Sequence, residues 1–274
     1  MPKFETSDGL KLNYTDEGSG KPILCLPGLT RTTADFDYVT PHLSGYRLIK
    51  LDYRGRGQSD WDPEWQNYNL LIEARDVIEL LDHIKLEKVA ILGTSRGGLI
   101  AMGLAFGAKD RLTGVALNDI GPVIESDGLG FIMGYLGKRP QAQTHAEAAH
   151  ALQRAMTGFK DVPFTRWVDE AMKHFVIVDD GLNITYDPKL RDAVELQGAQ
   201  AAPDLWPYFD ALEGLPLAVM RGENSDLFSA ETLAEMQKRR PDMISATIIG
   251  RGHVPFLDEP EAVAALQTWA QKLP

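Results

Sequence analysis

Six short apolar runs, each bounded by glycine, proline or charge, constrain this chain more than any other feature. They fall at Ile23 to Leu26, Arg47 to Leu51, Val89 to Leu92, Gly114 to Leu117, Leu217 to Met220 and Ile244 to Ile249. Short runs of this kind predict strands buried on both faces, the condition of strands in a parallel sheet. Segments with helical spacing separate them, at Leu70 to Ile84, Leu99 to Phe106 and Ala262 to Leu273. Strands that alternate with helices give an expected fold class of α/β, a mostly parallel twisted sheet flanked by helices. Lys3 to Glu17 predicts a hairpin at the sheet edge, turning at Asp8-Gly9.

The alternation stops at Gly121 and resumes after about Ala202; between them the sequence turns helical and rich in Met, Phe and Trp. The expected organisation is a core domain of residues 1–120 and 203–274 carrying a helical insertion, 121–202, with Thr144 to Met156 as one of its helices. A chain of 274 residues, 44% hydrophobic, has enough apolar surface for a sizeable core. Its formal net charge of -11 argues against nucleic acid and anionic membranes as partners, because both require a positive footprint. A small-molecule substrate is expected instead, and monomer and homodimer both stay open. The first ten residues, MPKFETSDGL, hold neither a basic nor an apolar leader region, so the cytoplasm is the expected location. The longest apolar stretch, Val89 to Ala108, is interrupted by Arg96 and several glycines, which suits a strand and helix better than a bilayer span. Cys25, the single cysteine, cannot form an internal disulfide and reads as a small core residue.

One strand leads directly into chemistry. Gly93-Thr94-Ser95-Arg96-Gly97 is a G-x-S-x-G turn placed after the strand at Val89 and before a helix. A serine on such a turn projects its hydroxyl above the sheet, and glycines two residues to either side let strand and helix approach. The hydroxyl is a weak nucleophile until a base removes its proton. Of six histidines, His253 follows the last predicted strand on a loop at the carboxyl edge of the sheet, where sites in open α/β sheets form. The imidazole needs a carboxylate to hold its tautomer. Asp226, after the strand at Leu217, is the preferred candidate; Glu223 and Asp119 compete with it. Backbone N–H groups of Arg96 and Leu29 are expected to stabilise an oxyanion, with Gly28 allowing close approach. Thr30, Arg31 and Val254 are candidate pocket residues, as are large side chains of the insertion and its exit such as Tyr135, Met156, Trp167 and Trp206. No compact ligand spacing implies a metal, and no glycine fingerprint implies a dinucleotide; no cofactor is expected.

Pro27-Gly28, the stretch Asp52 to Ser59 (D-x-R-G-x-G-x-S), Gly93 to Gly98, Gly222 to Asp226 and Gly252-His253 together resemble the α/β-hydrolase superfamily over nearly the whole chain outside the insertion. The resemblance implies a nucleophile at Ser95, an acid at Asp226, a base at His253 and oxyanion donors at Leu29 and Arg96. It also implies that the insertion is a helical cap over the site, and that the Asp52 to Ser59 stretch is a structural turn. Many members have His-Gly where this chain has Pro27-Gly28. A serine rather than an aspartate nucleophile separates it from haloalkane dehalogenases and epoxide hydrolases. The expected activity is hydrolysis of a small to medium carboxylic ester or lactone through an acyl-enzyme. Carbon-carbon bond hydrolysis of the meta-cleavage-product type is the enzymatic alternative, and a ligand receptor on the same fold is the alternative from another class.

Overall fold

The computed structural model describes residues 2–199 and 203–274. Eight strands form one sheet: β1 (Lys3–Glu5), β2 (Lys11–Glu17), β3 (Pro22–Leu26), β4 (Arg47–Leu51), β5 (Val89–Thr94), β6 (Leu112–Asn118), β9 (Leu217–Gly222) and β10 (Ile244–Ile248), in the spatial order β1-β2-β4-β3-β5-β6-β9-β10. β1 and β2 are the expected antiparallel hairpin at one edge, and every pairing from β4 to β10 is parallel. The helices are α1 (Leu70–His83), α2 (Arg96–Gly107), α8 (Ala230–Arg239) and α9 (Pro260–Gln271), with α7 (Trp206–Asp210) leading the chain back to β9.

The two faces of the sheet explain why the strand sequences are apolar without alternation. Leu24, Leu26, Val89 and Ile91 point into a core shared with Val77, Leu80 and Leu81 of α1 and Ile100, Ala101 and Leu104 of α2. Their neighbours Ile23, Cys25, Ala90 and Leu92 point the other way, against Ala262, Leu266 and Trp269 of α9. Each fully buried Leu or Ile contributes about 1.5–3 kcal/mol relative to exposure, so both faces must be covered for these strands to be stable. α1 opens on Asn69, whose side chain accepts the Ile72 N–H at 3.0 Å, and turns Val77, Leu80 and Leu81 inward at helical spacing.

Between β6 and β9 the chain leaves the sheet through α3 (Ser126–Tyr135), α4 (His145–Ala155), α5 (Phe164–His174), a hairpin of β7 (Phe175–Val178) and β8 (Gly181–Ile184), and α6 (Leu190–Gly198). The expectation of a purely helical insertion is therefore corrected by the hairpin, which turns at Asp179-Asp180-Gly181 with Gly181 at φ +119°. The expected end of the insertion at Ala202 lies outside the described residues. α4 and α5 enclose a small core of their own, built from Ala148, Ala149, Trp167, Ala171 and Leu182. Among the described residues no helix is long and apolar enough to cross a membrane.

Candidate active site

The register of the parallel strands brings five carboxyl ends to one edge. Leu26 pairs with Gly93, Thr94 with Asn118, Asn118 with Met220, and Gly222 with Ile248. Ser95 follows β5, Asp119 follows β6, and the loop after β10 carries His253, so three chain segments far apart in sequence meet above the sheet.

Ser95 occupies a strained turn at φ +48°, ψ −110°. An L residue avoids this region, and it persists here because the surroundings leave no alternative. A Cβ on Gly93 would lie 2.6 Å from the Gly97 backbone, and one on Gly97 would collide with the Leu26 carbonyl. These two glycines let α2 start directly above β3 and β5. Ser95 also caps α2, so the Arg96 N–H stands at the first helical position, where no intrahelical acceptor exists and the helix dipole favours negative charge.

His253 lies with Nε2 3.0 Å from Ser95 Oγ and Nδ1 2.7 Å from Asp119 Oδ2. Asp119 is fully buried. Its Oδ1 accepts the Gly222 N–H at 2.7 Å, and its Oδ2 accepts the Ser225 hydroxyl at 2.6 Å. A carboxylate with donors converging on it accepts from Nδ1–H, which leaves Nε2 free to accept the Ser95 proton. This arrangement corrects the choice of Asp226. The Asp226 side chain is exposed on the cavity wall, and its backbone carbonyl accepts the Gly128 N–H. The loop after β9 instead supplies Ser225 to hold Asp119, while Glu223 accepts the Gly250 N–H. β6 lies beside β5 and β9 beyond it, so the acid at the end of β6 is the nearer one. The chain order serine, aspartate, histidine is kept.

A cavity of about 410 Å³ opens over Ser95 and His253. Leu29, Thr30, Arg31, Tyr135, Met156 and Val254 line it. Trp167 and Trp206 do not. Trp167 is 3% exposed within the α4–α5 core, edge-on to Phe159. Trp206 packs on Phe209 with the Arg239 guanidinium 4.0 Å over its ring. Two hydrogen bonds tie the insertion to the loops beside the site: Lys160 N–H donates to Gly250 O at 2.9 Å, and the Asn224 side chain donates from Nδ2 to Gly158 O at 2.9 Å.

Behind the cavity lies a buried ionic group that sequence reasoning missed. Glu73, fully buried in α1, pairs with Arg56 Nη1 at 2.8 Å and Arg96 Nε at 2.5 Å. Arg56, also fully buried, donates Nε–H to Leu29 O at 3.0 Å and Nη1–H to Arg54 O at 2.6 Å. The Arg96 side chain thus points away from the cavity, and the same network grips both backbone segments expected to hold an oxyanion. Two arginines flanking the glycine turn, and Arg96 beside the nucleophile, were the only signals of it in the sequence.

At the opposite wall, Arg31 Nη1 lies 3.2 Å from Glu170 and 3.6 Å from Asp35. Burial works against the Arg31 charge, but Asp35 and Glu170 outweigh it and hold the guanidinium above its ordinary value. Burial pushes the Asp35 carboxyl up to about 6 despite Arg31, and pushes His174 well below its usual value, with Arg31 and Lys173 adding to the effect. Among the described residues no group of three or more His, Cys, Asp or Glu gathers in a metal-ligating arrangement.

A profile described as the alpha/beta hydrolase family matches residues 23–266. A 3-hydroxybutyrate-oligomer hydrolase of Cupriavidus necator is 35% identical over 260 residues, 92% of this chain and 88% of that protein. A 2-(acetamidomethylene)succinate hydrolase of Mesorhizobium japonicum is 28% identical, over 89% of this chain and 85% of the other. Among solved structures, an alpha/beta hydrolase from Novosphingobium aromaticivorans has a TM-score of 0.93 at 36% identity, covering 99% of this chain and 98% of its own.

Proposed function

This chain belongs to the alpha/beta hydrolase family, and on that premise we propose that it is a serine hydrolase cleaving a carboxylic ester through an acyl-enzyme. The observation that carries the reading is the unbroken hydrogen-bond series from Asp119 through His253 to Ser95 at the floor of a cavity. The relative named for 3-hydroxybutyrate oligomers supports an ester of a short hydroxy acid as the substrate. The segment between β6 and β9 acts as the cap, covering the site and shaping its pocket.

Ser95 Oγ attacks the ester carbonyl carbon while His253 Nε2 takes the hydroxyl proton. Asp119 holds the imidazole in the required tautomer and stabilises the imidazolium. The oxygen that becomes negative is met by the backbone N–H groups of Arg96 and Leu29, fixed before the reaction begins. Collapse of the tetrahedral adduct breaks the bond to the leaving oxygen, which departs as the alcohol with the proton from His253. Water then gives a proton to His253 and attacks the acyl carbon. The second adduct releases the carboxylic acid and returns the proton to Ser95.

A fluorophosphonate probe tests the nucleophile directly. The parent protein should be labelled at Ser95 and hydrolyse 4-nitrophenyl butyrate, whereas folded Ser95→Ala should do neither. Undiminished labelling of Ser95→Ala would remove the proposal.

A further inference from the structure

A second cavity, of about 480 Å³, adjoins the first and shares Thr30, Arg31, Phe131, Tyr135, Ala155 and Met156 with it. Arg31 therefore stands where the two meet. An ideal Cβ on Gly28 would lie 3.3 Å from Arg31 Cγ and 3.9 Å from Ser95 Cβ, so the two side chains flank one residue of the oxyanion loop. A permanent charge this close to the reacting serine is costly to bury unless it is paired and hydrogen-bonded.

The partners of Arg31 occupy only part of its guanidinium. Glu170 and Asp35 both approach Nη1. Nε and Nη2 donate to no acceptor among the described residues, and neither is among the fully enclosed unpaired atoms. The Nε–Nη2 edge is the edge that binds a carboxylate through two parallel hydrogen bonds. Asp35 and Glu170 are offset by Arg31 and Lys173, which acts electrostatically on both carboxylates. Burial pushes His174 well below its usual value, and on the wall of the first cavity Asp226 adds a negative charge and Lys160 a positive one.

We propose that Arg31 is a carboxylate receptor, so that the preferred substrates are esters that also carry a free carboxylate. This deepens the serine-hydrolase reading and rests on it. The anion is remote from the bond that breaks, so its interaction is the same before and during reaction and is expressed mainly in KM. A charge-assisted contact of this kind is worth roughly 10- to 100-fold in kcat/KM.

The test compares two substrate pairs in which a carboxylate is replaced by its neutral primary amide of nearly the same shape. One is 4-nitrophenyl hydrogen adipate and 4-nitrophenyl 5-carbamoylpentanoate, with the carboxylate in the acyl part. The other is 6-acetoxyhexanoate and 6-acetoxyhexanamide, with the carboxylate in the alcohol part. The parent should favour the free acid of at least one pair by about 10-fold or more, chiefly through KM. Arg31→Met should bring that ratio near one, and Arg31→Lys should restore part of it. Independently of any variant, free adipate should inhibit the parent competitively and the neutral diamide adipamide should not. Equal rates within both pairs, with no adipate inhibition, overturn the assignment while leaving Ser95 chemistry standing. Absence of turnover on all four esters together with absence of fluorophosphonate labelling overturns both readings.

Discussion

Replacing Glu73 by glutamine removes one negative charge from between two buried guanidinium groups while keeping nearly the same shape. Glu73 is fully buried and receives Arg56 at 2.8 Å and Arg96 at 2.5 Å. Without it, Arg56 keeps the carbonyls of Leu29 and Arg54, and Arg96 keeps only Tyr68 O, at 3.4 Å. Removing one partner of a buried ionic pair costs about 3–5 kcal/mol, because the remaining charge is left uncompensated. Unfolding entropy of about 2.1 cal/mol/K per residue, over 274 residues, turns that loss into a Tm about 5–9 °C lower. Thermal unfolding followed by calorimetry and circular dichroism measures it. The double variant Glu73→Gln with Arg96→Met should recover part of the loss, since it removes one of the two stranded charges. A Glu73→Gln protein melting within about 2 °C of the parent, against the 5–9 °C expected, would refute the view that this carboxylate neutralises both arginines.

Two further outcomes follow from the same structure. Trp167→Ala should cost about 3–5 kcal/mol of stability, because the ring fills the α4–α5 core; since it does not line the cavity, ester chain-length preference in the folded variant should move little. Cys25 is fully buried, and burial pushes its thiol up to about 12, so a disulfide reagent at pH 8 should leave it unmodified until denaturant exposes it.

The parallel sheet was legible because burial on both faces leaves an apolar signature that needs no partner to be recognised. Element ends were less so: α2 begins at Arg96 rather than Leu99, since Gly97 and Gly98, poor helix formers, are kept for close packing on β3 and β6. The β7–β8 hairpin carried its own signal, an apolar run broken by Asp-Asp-Gly, which the helical composition around it obscured. Ser95 and His253, which lie 3.0 Å apart, were legible because one follows β5 directly and the other lies on the loop after β10. The carboxylate beside His253 was not, because two carboxylates followed two strands and a linear sequence carries no distance between them. What decided it was burial and neighbours: Asp119, at φ +55°, turns beneath His253, and Ser225 beside the rejected candidate is its hydrogen-bond donor. Trp167 and Trp206 show the matching limit, that size and apolarity foretell burial but not the direction in which a side chain is buried.

Asp119, and not Asp226, is the carboxylate proposed to work with His253 and Ser95. Asp119→Asn and Asp226→Asn should be compared on one activated ester at saturating concentration, with folding checked by circular dichroism. Asp119→Asn should lower kcat by about 10³- to 10⁴-fold, since an amide favours the wrong imidazole tautomer and cannot stabilise the imidazolium. Asp226→Asn should stay within a few-fold of the parent. A crippled Asp226→Asn beside a near-normal Asp119→Asn would contradict the account.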